Sequence, residues 1–320
     1  MRAKICWCQN PSQWSTASVL SAASLCRHVA SFNCQKLMRF KNKHVKNIAR
    51  AMHQQIDQML AWTAEPKNIT EIGKPYLTER EGILALNFDV MSVQSEMYID
   101  KPDELVISYT RAMMSFLLLD PSPRRIAMIG LGGGSLAKYC YRYLPQTEIT
   151  VVEISPDVIA LRNEFAIPAD DARFQVLLGD GAQWVSDSSW RPEVLIVDGF
   201  DTSGLPAQLS SQRFYDDCFA SLADNGILVV NLWGGYPHYD EYLARIHTSF
   251  ADRVVIVDAE DSVNKIVLAT KNSEFPPPLS VIRQHANTLA STHSLNFQAK
   301  SNKLIQALSS RSIIALGDSD

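Results

Sequence analysis

The segment that most constrains the fold is IAMIGLGGGSLAKYCYRYLPQTEITVVEI, which spans residues 126–154. An apolar run is followed by glycine at four of five consecutive positions, by a segment with helical spacing, and by a second apolar run that ends at Glu153. This order predicts a strand over 125–130, a glycine-rich turn, a helix over 135–144 and a strand over 148–153. Such an order is typical of two parallel strands joined by a crossover helix.

The same alternation continues to residue 270 and predicts an α/β fold with a Rossmann-like, doubly wound sheet. Ahead of this region, residues 82–99 alternate in the manner of a small β-hairpin, and residues 103–119 have helical spacing. The further predicted strands are 173–178, 193–198, 227–233, 253–258 and 264–270. Three further helices are predicted: one that begins at residue 156, and two that span 211–223 and 239–250.

Composition divides the chain into four predicted segments. Residues 1–60 form a basic, serine-rich leader, for which two interpretations stay open: a disordered transit-type segment, or an N-terminus assigned upstream of a true start at Met38 or Met52. The other predicted segments are a small N-terminal β element over 61–105, the Rossmann-like domain over 106–275 and, after the break FPPPLS, a C-terminal helical tail over 276–320.

Charge is distributed unevenly along the chain. Nine basic residues and no acidic residue precede Asp57, although the formal net charge of the whole chain is −4. The rest of the chain is therefore strongly acidic, which favours cationic ligands and disfavours nucleic acid. The same charge would also arise from a requirement for solubility alone, so two explanations stay open. We expect a small-molecule amine as partner and no nucleic acid.

Apolar runs and cysteines indicate the compartment. No apolar run approaches the 18 residues of a membrane-spanning helix, so we expect no membrane partner. The six cysteines lack the spacing of a standard zinc site or a disulfide framework. We therefore expect no metal and a cytoplasmic location.

Ligands of an open parallel sheet bind beyond the carboxyl ends of its strands. Glycines in the turn after the first strand let the backbone approach a ligand and present amide groups from the start of a helix. A carboxylate at the end of the next strand can accept hydrogen bonds from both ribose hydroxyls. The same pattern would arise from a glycine turn that is only a tight connection and from an acid that is only exposed at the surface. The candidate residues are Gly130, Gly132, Gly133, Gly134, Ser135 and Glu153.

The motif GDGAQWV after the third strand narrows the ligand. Asp180 can accept a hydrogen bond from an adenine amino group, and Gly181 lets the ring lie against the backbone. A dinucleotide fold would have glycine or alanine at position 135, where this chain has serine. The motifs therefore favour an adenosyl ligand of the S-adenosylmethionine type, bound without a phosphate clamp.

The loop after the fourth strand carries two acids, Asp198 and Asp201. Carboxylates beside an adenosyl sulfonium can hold a cationic amine and remove its proton, so that the nitrogen can attack a carbon next to sulfur. An alkylammonium has a pKa near ~10 and needs such a base at neutral pH. The alternative is that both acids cap the turn and the following helix.

Residues 82–270 resemble the spermidine synthase family, the polyamine aminopropyltransferases. The resemblance depends on VQ, DELVISY, the glycine turn, VVEISPDVI, GDGAQWV and the LIVDGFD loop. It implies a sheet of the S-adenosylmethionine-dependent methyltransferase type, a homodimer and no prosthetic group. It also implies decarboxylated S-adenosylmethionine as co-substrate and putrescine or a similar amine as acceptor.

The resemblance also implies residue roles. Glu153 would hold the ribose, Asp180 and Gly181 the adenine, and Asp198 would be the general base. The acceptor amine would contact Gln94, Tyr109, Asp198 and Asp201.

Three positions depart from the family pattern. Ser135 stands where the family turn has an aspartate that clamps the donor ammonium and repels the carboxylate of intact S-adenosylmethionine. Thr202 replaces a proline, and DAEDSVN, with acids at 258, 260 and 261, replaces a TYPSG-like turn. Two alternatives therefore stay open: a methyltransferase that uses intact S-adenosylmethionine, and a non-catalytic paralogue that binds an adenosyl nucleoside or a polyamine.

Overall fold

The computed structural model describes residues 74–88, 93–200 and 204–317, with side chains up to residue 310. The predicted leader and the acceptor candidate Asp201 lie outside the described residues. The boundaries of the four predicted segments stay predictions.

A small antiparallel sheet precedes the main domain. It contains β1 (Tyr76–Arg80), β2 (Ile83–Asn87) and β3 (Val93–Tyr98), in that order. The expected hairpin corresponds to β2 and β3, so the sheet has one strand more than predicted. Glu81 and Gly82 join β1 to β2 with φ angles of 51° and 77°, as in the tight turns that suit the twist of a hairpin.

The main sheet has seven strands, and every strand predicted after residue 124 is present. Its order is β6-β5-β4-β7-β8-β10-β9, with the first five strands parallel and β10 antiparallel to both of its neighbours. The strands are β4 (Arg125–Ile129), β5 (Glu148–Glu153), β6 (Phe174–Leu178), β7 (Val194–Val197), β8 (Ile227–Trp233), β9 (Val254–Asp258) and β10 (Asn264–Thr270).

The direction of winding reverses at β4. The chain runs outward through β5 and β6 on one side and through β7 and β8 on the other. Loops that leave β4 and β7 therefore diverge and open a crevice at the carboxyl ends of these strands, where ligands of doubly wound folds bind.

Helices cover both faces of the sheet and bury two apolar clusters. The segment predicted as one helix over 103–119 is shorter and contains a helix and a following 3₁₀ turn (Met114–Leu118). The helices are α1 (Ser108–Met113), α2 (Ser135–Tyr143), α3 (Pro156–Ala160), α4 (Gly181–Asp187), α5 (Gln212–Ser221), α6 (Tyr239–Ser249), α7 (Leu279–Ala290) and α8 (Phe297–Gly317).

The last two helices contribute to the core of the main domain. Ile282 and Leu289 of α7, and Phe297 and Leu304 of α8, are buried in the same cluster as the apolar residues of β4 and α2. Within the described ranges, no helix is both long enough and apolar enough to cross a membrane.

Candidate active site

A cavity of about 260 Å³ opens at the reversal point of the sheet. It extends from the end of β6, past the ends of β5 and β4, to the loop after β7. The sequence-predicted residues that line it are Gln94, Tyr109, Gly130, Gly132, Ser135, Glu153, Asp180, Gly181 and Asp198.

The four glycines of the turn differ in position. Gly130 has a φ of 96°, and a Cβ atom there would lie 2.4 Å from the carbonyl oxygen of Asp198. Gly132 lines the cavity with a φ of 52°. Gly133 and Gly134 lie outside the lining, where they pack against Phe165 and Ile167. These two glycines therefore shape the turn, and a direct donor contact for them stays a prediction.

Glu153 is buried and is held by two backbone amides. Its Oε2 accepts a hydrogen bond from the Leu131 amide at 2.8 Å, and its Oε1 accepts one from the Ser155 amide at 2.8 Å. Each carboxylate oxygen can accept a second hydrogen bond, so the fixed side chain retains capacity for two ribose hydroxyls.

Asp180 is the N-cap of helix α4, a role that sequence analysis missed. Its Oδ1 accepts hydrogen bonds from the amides of Ala182 at 2.7 Å and Gln183 at 3.2 Å. Among the described residues its Oδ2 has no such partner, so one oxygen remains for a ligand. A Cβ atom at Gly181 would lie 2.2 Å from Cγ2 of Ile129, which explains the need for glycine here.

Asp198 lines the opposite end of the cavity and accepts two hydrogen bonds. Nδ2 of Asn231 donates to its Oδ1 at 2.9 Å, and the hydroxyl of Tyr109 donates to its Oδ2 at 3.2 Å. Burial raises the pKa of the Asp198 carboxyl above its usual range, and the two hydrogen bonds partly oppose this shift. A carboxyl with a raised pKa is a stronger base than an exposed aspartate.

Asn231 is a site residue that sequence analysis missed. It is 2% exposed, and its Oδ1 accepts a hydrogen bond from Nδ2 of Asn264 at 2.9 Å. The hydroxyl of Ser262 in turn donates to Oδ1 of Asn264 at 3.0 Å. The only sequence signal was a single asparagine within the apolar run ILVVNLW.

We expect Tyr109→Phe to move the acid limb of the kcat/KM–pH profile. The tyrosine hydroxyl stabilises the charged form of Asp198, so its removal should raise the pKa of that carboxyl. The acid limb should therefore shift to higher pH. Tyr141→Phe is a matched control, because Tyr141 donates to Asp171 at 2.6 Å outside the cavity lining. An unshifted limb in Tyr109→Phe would contradict this role.

Two of the three acids of the DAEDSVN turn have partners of their own. Asp258 pairs with Lys265 at 2.7 Å, and Glu260 pairs with Lys303 at 2.7 Å. The Lys303 ammonium lowers the pKa of the Glu260 carboxyl. Neither of these two acids lines the cavity.

Comparisons with known proteins agree with this geometry. The model of the spermine/spermidine synthase domain matches residues 106–267. A polyamine aminopropyltransferase of Neisseria meningitidis serogroup A is 37% identical over 223 residues, which are 69% of this chain and 85% of the relative. One of Chromobacterium violaceum is 34% identical over 231 residues, 72% of this chain and 88% of the relative.

Solved structures support the fold. A spermidine synthase in complex with the transition-state analogue AdoDATO superposes with a TM-score of 0.56 at 18% identity, over 74% of this chain and 83% of that one. Human methyltransferase-like protein 13 in complex with SAH gives a TM-score of 0.53 at 22% identity, over 58% of this chain and 91% of that one. The predicted Rossmann-like fold of the methyltransferase type is confirmed.

The match to the domain model begins before the glycine turn and extends into β10, and the two relatives align over more than four-fifths of their own lengths. The predicted resemblance is therefore confirmed: the chain belongs to the spermine/spermidine synthase family.

Proposed function

We propose that this protein transfers an aminopropyl group from decarboxylated S-adenosylmethionine to putrescine or a similar small amine, which gives spermidine and methylthioadenosine. The names of the relatives, polyamine aminopropyltransferases at 34–37% identity, support this activity. The observation that carries it is the Asp198 carboxyl, held by Tyr109 and Asn231 at the end of the cavity opposite Asp180.

The adenosyl part of the donor occupies the end of the cavity formed by β5 and β6. Glu153 accepts the two ribose hydroxyls, and the remaining oxygen of Asp180 accepts the adenine amino group. Ile154 lines the same end and is 68% exposed, so a bound adenine would cover its apolar surface.

Asp198 then acts as the base. The acceptor enters as an ammonium, and one of its protons moves to the Asp198 carboxylate. The freed nitrogen lone pair attacks the donor carbon next to sulfur, the carbon–sulfur bond breaks, and its electron pair neutralises the sulfonium of the leaving methylthioadenosine. Gln94 and Asp201 complete the acceptor site in this proposal.

The test is a turnover assay with purified protein, decarboxylated S-adenosylmethionine and putrescine. We expect methylthioadenosine and spermidine in equal amounts, measured by liquid chromatography and mass spectrometry. S-adenosylhomocysteine and a methylated amine, formed from intact S-adenosylmethionine instead, would support the methyltransferase alternative. Nucleoside binding without either product would support the non-catalytic alternative.

The homodimeric state and the cytoplasmic location expected for the family belong to the same proposal. Size-exclusion chromatography with light scattering tests the first, because a dimer has twice the mass of the 35.7 kDa chain. Fractionation of the native cells tests the second.

A further inference from the structure

The part of the cavity at the start of α2 is lined by neutral groups. Ser135 is the first residue of this helix, the side chain of Ser95 approaches it from β3, and Gln94 also lines the cavity. The acids that line the described part of the cavity stand at its other ends, and they are Glu153, Asp180 and Asp198.

Two serine hydroxyls meet at this place. Oγ of Ser95 lies 3.4 Å from Oγ of Ser135, which also donates to the carbonyl oxygen of Glu96 at 3.3 Å. Both distances exceed the range of about 2.5–3.0 Å that is usual for hydrogen bonds between oxygens. Ser95 is 7% exposed, so this weakly paired hydroxyl is almost wholly desolvated. Because hydroxyl hydrogens rotate, both serines can turn to donate to an anion.

The backbone adds further donors. The first amide groups of a helix lack intrahelical acceptors, and Gly134, the N-cap of α2, makes no side-chain capping bond. Leu136 and Ala137 of this first turn also line the cavity. The positive end of the nine-residue helix therefore faces the same space as the two hydroxyls.

One acid lies close by without lining the cavity. Glu96 follows Ser95 in β3, and burial raises the pKa of its carboxyl above the usual range. Glu96 is absent from the residues that line the cavity, so the described lining at the start of α2 is neutral.

We propose that this end of the cavity binds the α-carboxylate of intact S-adenosylmethionine, so that the protein accepts the intact as well as the decarboxylated sulfonium. With adenosine at Glu153 and Asp180, and the reacting carbon near Asp198, the tail of the sulfonium extends toward Ser95 and Ser135. The inference rests on the proposed function for this orientation. A site rich in N–H and O–H donors suits a carboxylate, whereas an ammonium alone would require acceptors.

The test is calorimetric titration of the full chain and two variants with four nucleosides: S-adenosylmethionine, S-adenosylhomocysteine, decarboxylated S-adenosylmethionine and methylthioadenosine. The wild type should bind the first two within about tenfold of the decarboxylated form. Ser135→Asp places a carboxylate among these donors, where an acid also suits the first turn of the helix. It should weaken binding of the two carboxylate ligands by about ten- to a hundredfold.

Ser135→Asn is the matched control, since it has the shape of aspartate without the charge. It should leave the preference among the four ligands nearly unchanged, and methylthioadenosine, which has no charged tail, should bind all three proteins alike. Wild-type protein that binds the decarboxylated form and rejects the intact one would overturn the proposal. Equal losses in the Asp and Asn variants would also overturn it, because the charge would then have no part.

The two proposals can fail separately. The titration requires no turnover, so an inactive protein that binds intact S-adenosylmethionine would overturn the proposed function and support this inference. An active aminopropyltransferase that rejects the intact sulfonium would do the reverse.

Discussion

Replacing Asp198 with asparagine should reduce kcat by about a hundred- to ten-thousandfold, the usual contribution of a general base. The amide can keep one hydrogen bond to Asn231 or Tyr109, but it cannot accept a proton from the acceptor ammonium. The affinity for methylthioadenosine should stay nearly unchanged, because the proposed adenosyl contacts lie at the other end of the cavity. Steady-state kinetics with titration of the nucleoside on the same preparation measures both quantities.

Asp157→Asn is the control for this experiment. Asp157 is an exposed acid in the first turn of α3 and lies outside the cavity lining, so the variant should keep wild-type kcat. Turnover that survives in Asp198→Asn would show that another group removes the proton.

Replacing Gly130 with alanine should destabilise the fold by roughly 3 kcal/mol or more, since a strained backbone angle and a backbone clash act together. Residue 130 has a left-handed φ of 96°, and the new methyl group would lie 2.4 Å from the Asp198 carbonyl oxygen. Because that oxygen belongs to the residue proposed as the base, the displacement should lower kcat as well. Urea unfolding followed by circular dichroism measures the free energy of unfolding.

Gly82→Ala separates the two causes. Gly82 also has a left-handed φ, 77°, but a Cβ atom there would have no neighbour within 4 Å among the described residues. This variant should lose only the conformational contribution, about 1 kcal/mol. Equal losses in both variants would mean that the turn relaxes away from the clash at residue 130.

The main sheet could be predicted from sequence because its strands are short apolar runs bounded by turn residues. β5, for example, begins at Glu148 and ends at Glu153, as its pattern predicts. β1 was missed because YLTER has two consecutive charged residues and no clear alternation. Helix α4 was missed because GDGAQWV has the composition of a turn, and only the structure shows Asp180 as its cap.

The site was predictable where a residue's position at a strand end determines its role. Glu153, Asp180 and Asp198 reach the same cavity because parallel strands end at one edge of the sheet. Asn231 was not predictable in this way, because its role depends on a hydrogen bond to a residue 33 positions earlier. The contact between Ser95 and Ser135, 40 positions apart, likewise depends on how the small sheet packs on the turn.

The reversal of the sheet at β4 divides the proposed functional residues of the cavity into two sets. The proposed donor ligands follow β4, β5 and β6, whereas the base follows β7 and its supporting amides lie in β8 and β10. The two sets touch where Gly130 meets the Asp198 backbone. Substitutions that change the specificity for the acceptor amine can therefore accumulate on the β7 side of this contact, while adenosine recognition is retained on the β5 and β6 side.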